Sequence, residues 1–383
     1  MLQGPAKVES GPSSVIKPPK VAVLGAGHGG QAMAGHLALL GCEVRIFNRS
    51  ELRLEPIRQR GGIELSGVIQ GFGPIAVATT DMREAIADAE LIMVVVPATG
   101  HEFMAEAMAP HLKDGQVIVL NPGRTGGALE VYNILRRRSA PAGCLVAEAQ
   151  TLLYAARCIN PAQVQMFGVK NSVPLAAIPG HRTVEALRIV RRVLPQFVPA
   201  LNVLKTSLDN IGAIFHPAIT VLNAARIEST NGNFEFYMDG ITHATARVLE
   251  RMDEERIAVA EALGFSATRA REWLYLAYDA AGRTLYEAIH NNVGYKGITA
   301  PTSLQTRYLW EDVPMSLVPL SSLGELLGVP TPAIDHIIDL ASLMDETDYR
   351  ACGRTVDRLG LRGLSVRDIQ RLVQEGEAIG NVD

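Results

Sequence analysis

The feature that most constrains this chain is a glycine-rich run between an apolar segment and a helical one. The run 25–30 reads Gly25-Ala26-Gly27-His28-Gly29-Gly30, follows the apolar residues Val21–Leu24, and opens a helix predicted over 29–40. A second apolar run over 43–47 completes the strand–turn–helix–strand context that the spacing GxGxxG requires. Glycines there allow a tight turn and close approach of a pyrophosphate, which the helix N-terminus attracts. The sequence therefore predicts a dinucleotide-binding domain.

The rest of the chain indicates a two-part organisation. Apolar runs over 91–96, 117–120 and 144–147, spaced by helical segments, are typical of a parallel sheet covered on both faces. Residues 61–79 predict a hairpin inserted in that sheet, and 163–170 with 173–178 predict a further strand pair. Helical periods dominate after about 205. We therefore predict an α/β fold, a Rossmann-type doubly wound sheet followed by an all-helical C-terminal domain. Its divisions are a flexible leader (1–19), a dinucleotide-binding domain (20–206) and a helical substrate and catalytic domain (207–383).

The end of the second strand bears on the choice of nucleotide. A carboxylate there would accept hydrogen bonds from the ribose 2′-hydroxyl and repel a 2′-phosphate. This strand ends instead in Asn48-Arg49-Ser50, with no acid before Glu51, and Arg49 offers a fork of donors suited to phosphate. The pattern favours NADP(H) over NAD(H). The alternative is that Arg49 is a surface arginine or stacks on the adenine of NAD. Val96 and Pro97, at the next strand end, are expected beside the nicotinamide ribose.

Composition narrows the classes of partner. The net charge is −4, from 36 Lys and Arg against 40 Asp and Glu, which disfavours a nucleic-acid binder. No apolar run reaches the ~18 residues of a membrane span, and no secretory signal is visible. The four cysteines form no CxxC pair, which predicts buried free thiols in a reduced compartment and no metal site. We expect a cytoplasmic protein with small-molecule partners, and a homodimer is a further hypothesis.

Two stretches of the helical half stand out, 210–217 and 307–314, the second containing Glu311-Asp312-Val313-Pro314. Together with the glycine-rich start, Asn121-Pro122-Gly123-Arg124-Thr125-Gly126-Gly127, His216-Pro217 and Tyr295-Lys296-Gly297, they run in order across nearly the whole chain. In this the chain resembles the octopine/nopaline (opine) dehydrogenase family. The resemblance implies NAD(P)H-dependent reductive condensation of an amino acid with a 2-oxo acid such as pyruvate. It also implies that His216 and Asp312 carry the proton transfers. Many members use NADH, which leaves the nucleotide choice open.

The chemistry of such a reaction is consistent with a His–Asp pair. Amine attack on a keto group gives a carbinolamine, which loses water to an imine before hydride arrives at carbon. Imidazole can donate and accept protons near neutral pH, and a carboxylate on its far nitrogen fixes the tautomer. The plainer interpretations are that His216 is a core histidine and that Asp312 is a helix N-cap.

The carboxylates of the oxo acid and of the amino acid each need a positively charged side chain to bind them. Arg124, in a turn after a strand, is a candidate for the oxo acid, and Thr151 after the next strand could add a hydroxyl. Lys296 and Arg307 are candidates for the amino acid's carboxylate, and each of these residues could instead be a solvated surface group.

Two rival functions share the same fold. A reductase of the ketopantoate or 6-phosphogluconate type resembles this chain but places a lysine on the first long helix of its second domain, where residues 208–228 contain none. The other rival is a non-catalytic NADP(H)-binding sensor, which would have no need for the His–Asp pair.

Overall fold

A computed structural model describes residues 17–377 of the chain. Most of the predicted leader, residues 1–16, lies outside the described residues, as does the stretch 378–383. The strands of the described part are β1 (Val21–Leu24), β2 (Val44–Phe47), β3 (Gly62–Gly67), β4 (Gly71–Pro74), β5 (Val77–Thr79), β6 (Leu91–Val94), β7 (Val117–Leu120), β8 (Leu145–Ala149), β9 (Tyr154–Asn160), β10 (Gln163–Val169), β11 (Val173–Ile178) and β12 (Phe197–Pro199).

The helices alternate with these strands in the first half and make up the second. They are α1 (His28–Leu39), α2 (Glu55–Arg60), α3 (Met82–Ile86), α4 (His101–Met108), α5 (Gly127–Arg137), α6 (Thr183–Val190), α7 (Val203–Leu208), α8 (Gly212–Leu222), α9 (Ala224–Thr230), α10 (His243–Ala262), α11 (Ala270–Tyr278), α12 (Leu285–Asn291), α13 (Arg307–Trp310), α14 (Val318–Leu327), α15 (Pro332–Met344), α16 (Tyr349–Cys352) and α17 (Val366–Glu375). The predicted domain boundary at 206 falls inside α7 and stays a prediction.

The main sheet has eight strands in the order β12-β11-β8-β7-β6-β1-β2-β5. Its neighbours run parallel except β11 and β8, which are antiparallel. Leu24 of β1 lies opposite both Phe47 of β2 and Val94 of β6, so these three strands end at one edge of the sheet. The predicted Rossmann-type sheet is confirmed, and its carboxyl edge is where a nucleotide binds in such folds.

A second, four-stranded sheet with the order β4-β3-β10-β9 corrects two predictions. The hairpin of β3 and β4 exists but belongs to this sheet, not to the main one, which takes only β5 from that region. Strands β10 and β11 do not pair with each other, because β10 joins β9 and β3 whereas β11 joins β8 and β12. The second sheet packs against α1.

Burial explains this separation of β10 from β11. Along β10, buried residues alternate with more exposed ones, which fits a sheet with one covered face. Along β11 five of six residues are buried, which fits an interior strand covered on both faces.

The buried hydrophobic residues form two clusters, and one of them joins the two halves of the chain. Ala22 and Leu24 of β1 belong to a cluster that continues into the C-terminal helices, whereas Val21 and Val23 belong to a cluster beneath α1 and the second sheet. After β12, every regular element of the described residues is helical apart from an isolated bridge between Glu235 and Thr299. The predicted helical C-terminal half is thus confirmed. No helix within 17–377 has the length and apolar character needed to cross a bilayer.

Candidate active site

The glycine-rich turn lies at the carboxyl edge of the main sheet, between β1 and α1. Gly25 has a φ of +116°, and a Cβ built on it would lie 2.4 Å from the carbonyl oxygen of Val95. A Cβ on Gly30 would lie 1.8 Å from the carbonyl oxygen of Gly25, so only glycine lets α1 pack this closely. A Cβ on Gly27 would meet only Arg53 Nη1, at 3.7 Å, which leaves room for a phosphate. The turn therefore fits a pyrophosphate.

The side chain of Asn48 fastens this turn. Its Oδ1 accepts a hydrogen bond from the backbone N–H of Ala26 at 3.1 Å, and its Nδ2 donates to the carbonyl of Ser50 at 3.0 Å. Asn48 therefore shapes the loop, and its donor is already used within the protein. Val96 also borders the turn, since its Cγ1 lies 2.7 Å from the Cβ position of Gly25, and Pro97 follows it at the surface.

Arg49 and Ser50 are exposed beyond the end of β2. The guanidinium carbon of Arg49 lies 5.0 Å from the centre of the Phe103 ring, a cation–π distance. Glu51, the first acid after the strand, forms an ion pair with Arg58. Among the described residues, this leaves no unpaired carboxylate directly after β2.

Two arginines beside the glycine-rich turn, Arg53 and Arg157, were missed by the sequence reasoning. Nδ1 of His28 accepts a hydrogen bond from the backbone N–H of Cys158 in β9 at 2.9 Å. Arg157 directly precedes Cys158 in β9, and Arg53 Nη1 lies 3.7 Å from the Cβ position of Gly27, so both arginines lie near the turn. Burial, Arg157 and Arg53 together lower the pKa of His28. Both are exposed, and neither has an ion-pair partner among residues 17–377. Only the pairing of distant segments brings Arg157 here, so no local signal could have identified it.

The His–Asp pair predicted from sequence is assembled where α8 meets the turn after α13. Nδ1 of His216 lies 2.8 Å from Oδ2 of Asp312, although 96 residues separate them in the chain. Asp312 is fully buried, while the His216 side chain is 21% exposed, so the imidazole can still reach a ligand. A Cβ on Gly212 would lie 3.2 Å from His216 Cε1, so glycine leaves room for the ring. Asp312 forms no side-chain capping hydrogen bond, which is contrary to the N-cap interpretation.

Arg124 holds the other oxygen of the same carboxylate. Its Nη1 lies 3.1 Å from Oδ1 of Asp312, and its Nε lies 3.4 Å from Oε1 of Glu311. Burial opposes ionisation of Asp312, but the charges of Arg124 and His216 outweigh it and lower the pKa of this carboxyl. Asp312 is thus held as a carboxylate between a guanidinium and an imidazole. The surface interpretation of Arg124 is wrong, since the residue is 8% exposed.

Glu311 was missed as a site residue. Its carboxylate accepts a hydrogen bond from the backbone N–H of Ala98 at 3.1 Å, and its Oε2 lies 2.9 Å from Arg307 Nη2. Because it also contacts Arg124, this buried acid links the strand end after β6 to the two arginines. The predicted candidates Arg124 and Arg307 are therefore brought together around Glu311.

The other two substrate candidates lie apart from this cluster. Thr151 is partly exposed, after β8, between Gln150, which bonds to Asp209, and Leu152, which packs on Gly29. Lys296 is exposed and, among the described residues, forms no hydrogen bond or ion pair with His216 or its partners.

An aromatic stack supports the imidazole on its other side. The rings of His216 and Tyr308 have centres 4.4 Å apart and are inclined by 24°. Phe236 stacks in turn on Tyr308, with a centre separation of 5.0 Å. The ring plane of His216 is thus fixed by stacking, and its Asp312 bond fixes the rotation within that plane.

A buried acid braces the turn that carries Arg124. Glu148, at the end of β8, accepts hydrogen bonds from the backbone N–H of Ala128 (2.8 Å) and from the hydroxyls of Thr206 (2.6 Å) and Ser207 (2.8 Å). The Ser207 hydroxyl in turn accepts from the N–H of Gly126. Burial raises the pKa of Glu148 to about 6, against these hydrogen bonds. α7 and the turn are thereby joined.

Within residues 17–377, no group of three or more His, Cys, Asp or Glu side chains could hold a metal ion. All four cysteines are free thiols, and Cys42 is buried. Cys144 and Cys158 are only partly buried, and Cys352, at the end of the short helix α16, is exposed, so the prediction that all four are buried is wrong for these three residues.

Two family models match this chain. Residues 199–344 match the family model of the NAD/NADP octopine/nopaline dehydrogenase alpha-helical domain. Residues 20–123 match that of the NAD-dependent glycerol-3-phosphate dehydrogenase N-terminus.

Whole-chain relatives extend this finding. The opine dehydrogenase of Arthrobacter sp. (strain 1C) is 41% identical, over 94% of this chain and 100% of that protein. The structure of octopine dehydrogenase with NADH and agmatine superposes with a TM-score of 0.78 at 25% identity, covering 94% of this chain and 98% of that one. An NADP⁺-bound yersinopine dehydrogenase shares the fold. It superposes with a TM-score of 0.70 at 16% identity, covering 94% of this chain and 98% of that one. The chain belongs to the octopine/nopaline (opine) dehydrogenase family, and is an NAD(P)-dependent oxidoreductase that acts on the CH–NH group of its donors.

Proposed function

We propose that the protein condenses an amino acid with a 2-oxo acid such as pyruvate, reduces the product with NAD(P)H, and catalyses the reverse oxidation. The observation that carries this proposal is the 2.8 Å contact between His216 and Asp312, next to a buried arginine. The relatives named octopine and opine dehydrogenase support the same reaction class.

His216 acts in this proposal as the general acid and base. Because the ionised Asp312 accepts from Nδ1–H, the tautomer leaves Nε2 with the lone pair that can take a proton from the substrate's ammonium group. The same nitrogen then returns the proton to the carbinolamine hydroxyl, which leaves as water and gives a protonated imine. When bound, the reduced nicotinamide supplies the hydride that converts the imine to a secondary amine. Asp312 stabilises the imidazolium that forms between these steps.

The substrate carboxylates are assigned to the cations around this pair. We place the oxo acid against Arg124, whose Nη2 has no hydrogen-bond partner within the described residues, with Thr151 as a further donor. Arg307 lies one turn before Glu311 and is half exposed, which suits the carboxylate of the amino acid. Lys296 is the outer candidate for that same carboxylate.

NADP(H) is the proposed nucleotide, ahead of NAD(H). Arg49 stands exposed at the end of β2, and Glu51 is neutralised by Arg58, so a 2′-phosphate would meet a guanidinium and no free acid. Gly25, Ala26, Gly27, His28, Gly29 and Gly30 would hold the pyrophosphate. Asn48 and Ser50 would shape the ribose site, and Val96 and Pro97 would border the nicotinamide ribose.

We further propose a cytoplasmic location, which four free thiols favour, and a homodimer. The C-terminal part of α15 exposes Leu340, Leu343 and Met344, an apolar surface suited to self-association. Light scattering at several protein concentrations tests the dimer, and a constant monomer mass would remove it.

One experiment tests the reaction. Loss of the reduced-nicotinamide absorbance is followed with NADPH or NADH, pyruvate and a panel of amino acids, omitting each component in turn. We expect oxidation only when oxo acid and amine are both present. His216→Ala should abolish most of this turnover while NADPH binding persists. Oxidation with the oxo acid alone would instead indicate a keto-acid reductase, and binding without any oxidation would indicate a sensor.

A further inference from the structure

Arg354 is a fully buried arginine that no part of the reaction above uses. It follows α16 in the helical part, yet its side chain reaches into the dinucleotide-binding part. Its Nη1 donates to the carbonyls of Gly123 at 3.4 Å and Thr125 at 2.9 Å, the two residues on either side of Arg124. Arg124 itself has a φ of +58°, a left-handed conformation that is uncommon for a residue other than glycine. The backbone on both sides of this unusual residue is therefore held by one guanidinium.

One acid of the dinucleotide-binding part, Glu130, neutralises the buried charge. Oε2 of Glu130, in α5, lies 2.7 Å from Nη2 of Arg354 and 2.8 Å from its Nε. Burial opposes ionisation of Glu130, but Arg354 and Arg358 outweigh it and lower its pKa. On another side, Nη2 of Arg354 lies 3.3 Å from Nδ1 of His101, whose pKa is lowered to about 3 by burial and by Arg354. The neighbouring imidazole is thus neutral and accepts from the guanidinium.

The main chain of Arg354 contacts the other half of the site. Its N–H donates to the carbonyl of Pro314 at 2.9 Å, two residues after Asp312. The next residue along, Met315, accepts from the N–H of Thr125 at 3.2 Å. Arg354 therefore touches both the turn that carries Arg124 and the turn that carries Asp312. A shift at this one residue changes the separation of the two charged groups.

We propose that Arg354 is a positioning residue, which sets the turn of Arg124 against the turn of Asp312 so that Arg124 can bind the oxo-acid carboxylate beside His216. It touches neither substrate nor nucleotide, and it acts only through Arg124. The inference rests on the proposed role of Arg124 in the reaction.

Arg354→Lys tests this role, because lysine keeps the charge opposite Glu130 but loses the fork that spans two carbonyls. We expect the KM for the oxo acid to rise by about tenfold or more, with the Kd for NADPH within about twofold of the unchanged protein. Arg358→Lys is the matched control, since Arg358 also pairs with Glu130 but bonds to Cys352 and Glu102, not to the turn of Arg124. It should leave both constants unchanged.

A double-mutant cycle separates positioning from stability. If Arg354 acts through Arg124, Arg354→Lys has no further effect on KM in an Arg124→Lys background. A lowered melting temperature with unchanged KM would make Arg354 a structural residue only and overturn the proposal. If Arg124→Lys alone leaves KM unchanged, the assigned role of Arg124 fails as well, which is a distinguishable result.

A second variant covers the case in which Arg354→Lys does not fold. Replacing the pair together, Glu130→Met with Arg354→Met, removes both buried charges at once, a change that proteins often tolerate. It also removes the donors to the two carbonyls, so the same rise in KM is expected. An unchanged KM in this folded double variant would overturn the proposal.

Discussion

Asp312→Asn tests the mechanism most directly, because an amide oxygen cannot serve both partners of the carboxylate. In the native site Oδ1 faces Arg124 at 3.1 Å and Oδ2 faces His216 at 2.8 Å. Arginine can only donate, so the amide oxygen must turn to Arg124 and the NH₂ group to His216. The imidazole then accepts at Nδ1 and carries its proton on Nε2, where it cannot act as a base. We expect turnover to fall by about 10²- to 10⁴-fold, the usual contribution of positioned acid–base catalysis.

The assay is the single-turnover rate of NADPH oxidation at saturating substrates, measured beside the Kd for NADPH and the melting temperature. NADPH affinity should not change, because Asp312 lies on the helical side of the site. Asp253→Asn is a matched control: Asp253 is also buried and paired with an arginine, Arg256, but shares no partner with His216. It should cost stability without affecting the rate. A rate for Asp312→Asn within about threefold of native would refute the tautomer argument.

The remaining predictions concern the nucleotide and stability. Arg49→Ala should lower the affinity for NADPH about 10- to 100-fold and the affinity for NADH hardly at all, whereas Arg53→Ala should lower both affinities alike. If Arg49→Ala lowered both affinities equally, Arg49 would not bind the 2′-phosphate. Gly30→Ala places a methyl group 1.8 Å from the carbonyl oxygen of Gly25 and should raise the Kd for either nucleotide about 10- to 100-fold. Its control, Gly168→Ala, has no atom within 4 Å of the new methyl group and should leave the Kd unchanged in binding titrations. His101 has its pKa lowered to about 3, so the unfolded chain binds a proton more readily and stability is lost as pH falls below 6.5. In urea unfolding, the free energy of unfolding of the His101→Asn variant should fall by about 2 kcal/mol less than that of the native chain between pH 7 and pH 5. An identical fall in the two proteins would contradict this.

The sequence allowed the nucleotide-binding edge and the His–Asp pair to be predicted, for different reasons. The turn 25–30 is local, since its glycines, the strand before it and the helix after it lie within 20 residues of each other. His216 and Asp312 are far apart in the chain and were found only because the resemblance supplied their pairing. The chemistry by itself could not have joined them.

The parts that were missed depend on contacts between distant segments. Glu311 stands next to Asp312 but shows its role only once the turn of Arg124, 187 residues earlier, is folded against it. Arg354 lies in a polar stretch with the composition of a surface loop, and 224 residues separate it from Glu130. The pairing of β10 with β11 was predicted from their closeness in the chain, although the greater apolar content of 173–178 was a usable signal for an interior strand.

The second sheet has a consequence for the order in which the chain folds. Its strands β3 and β10 bring Glu64 opposite Gln163, 99 residues away, whereas the most distant pairing in the main sheet, Val21 with Leu91, spans 70 residues, so the second sheet closes the longer loop at the larger entropy cost. We expect this sheet to form after the main sheet and α1 are in place. His28 receives its bond from Cys158 only in that step, so the glycine-rich turn reaches its final form late. A nascent chain released before residue 170 has emerged would therefore hold the turn without its partner strand.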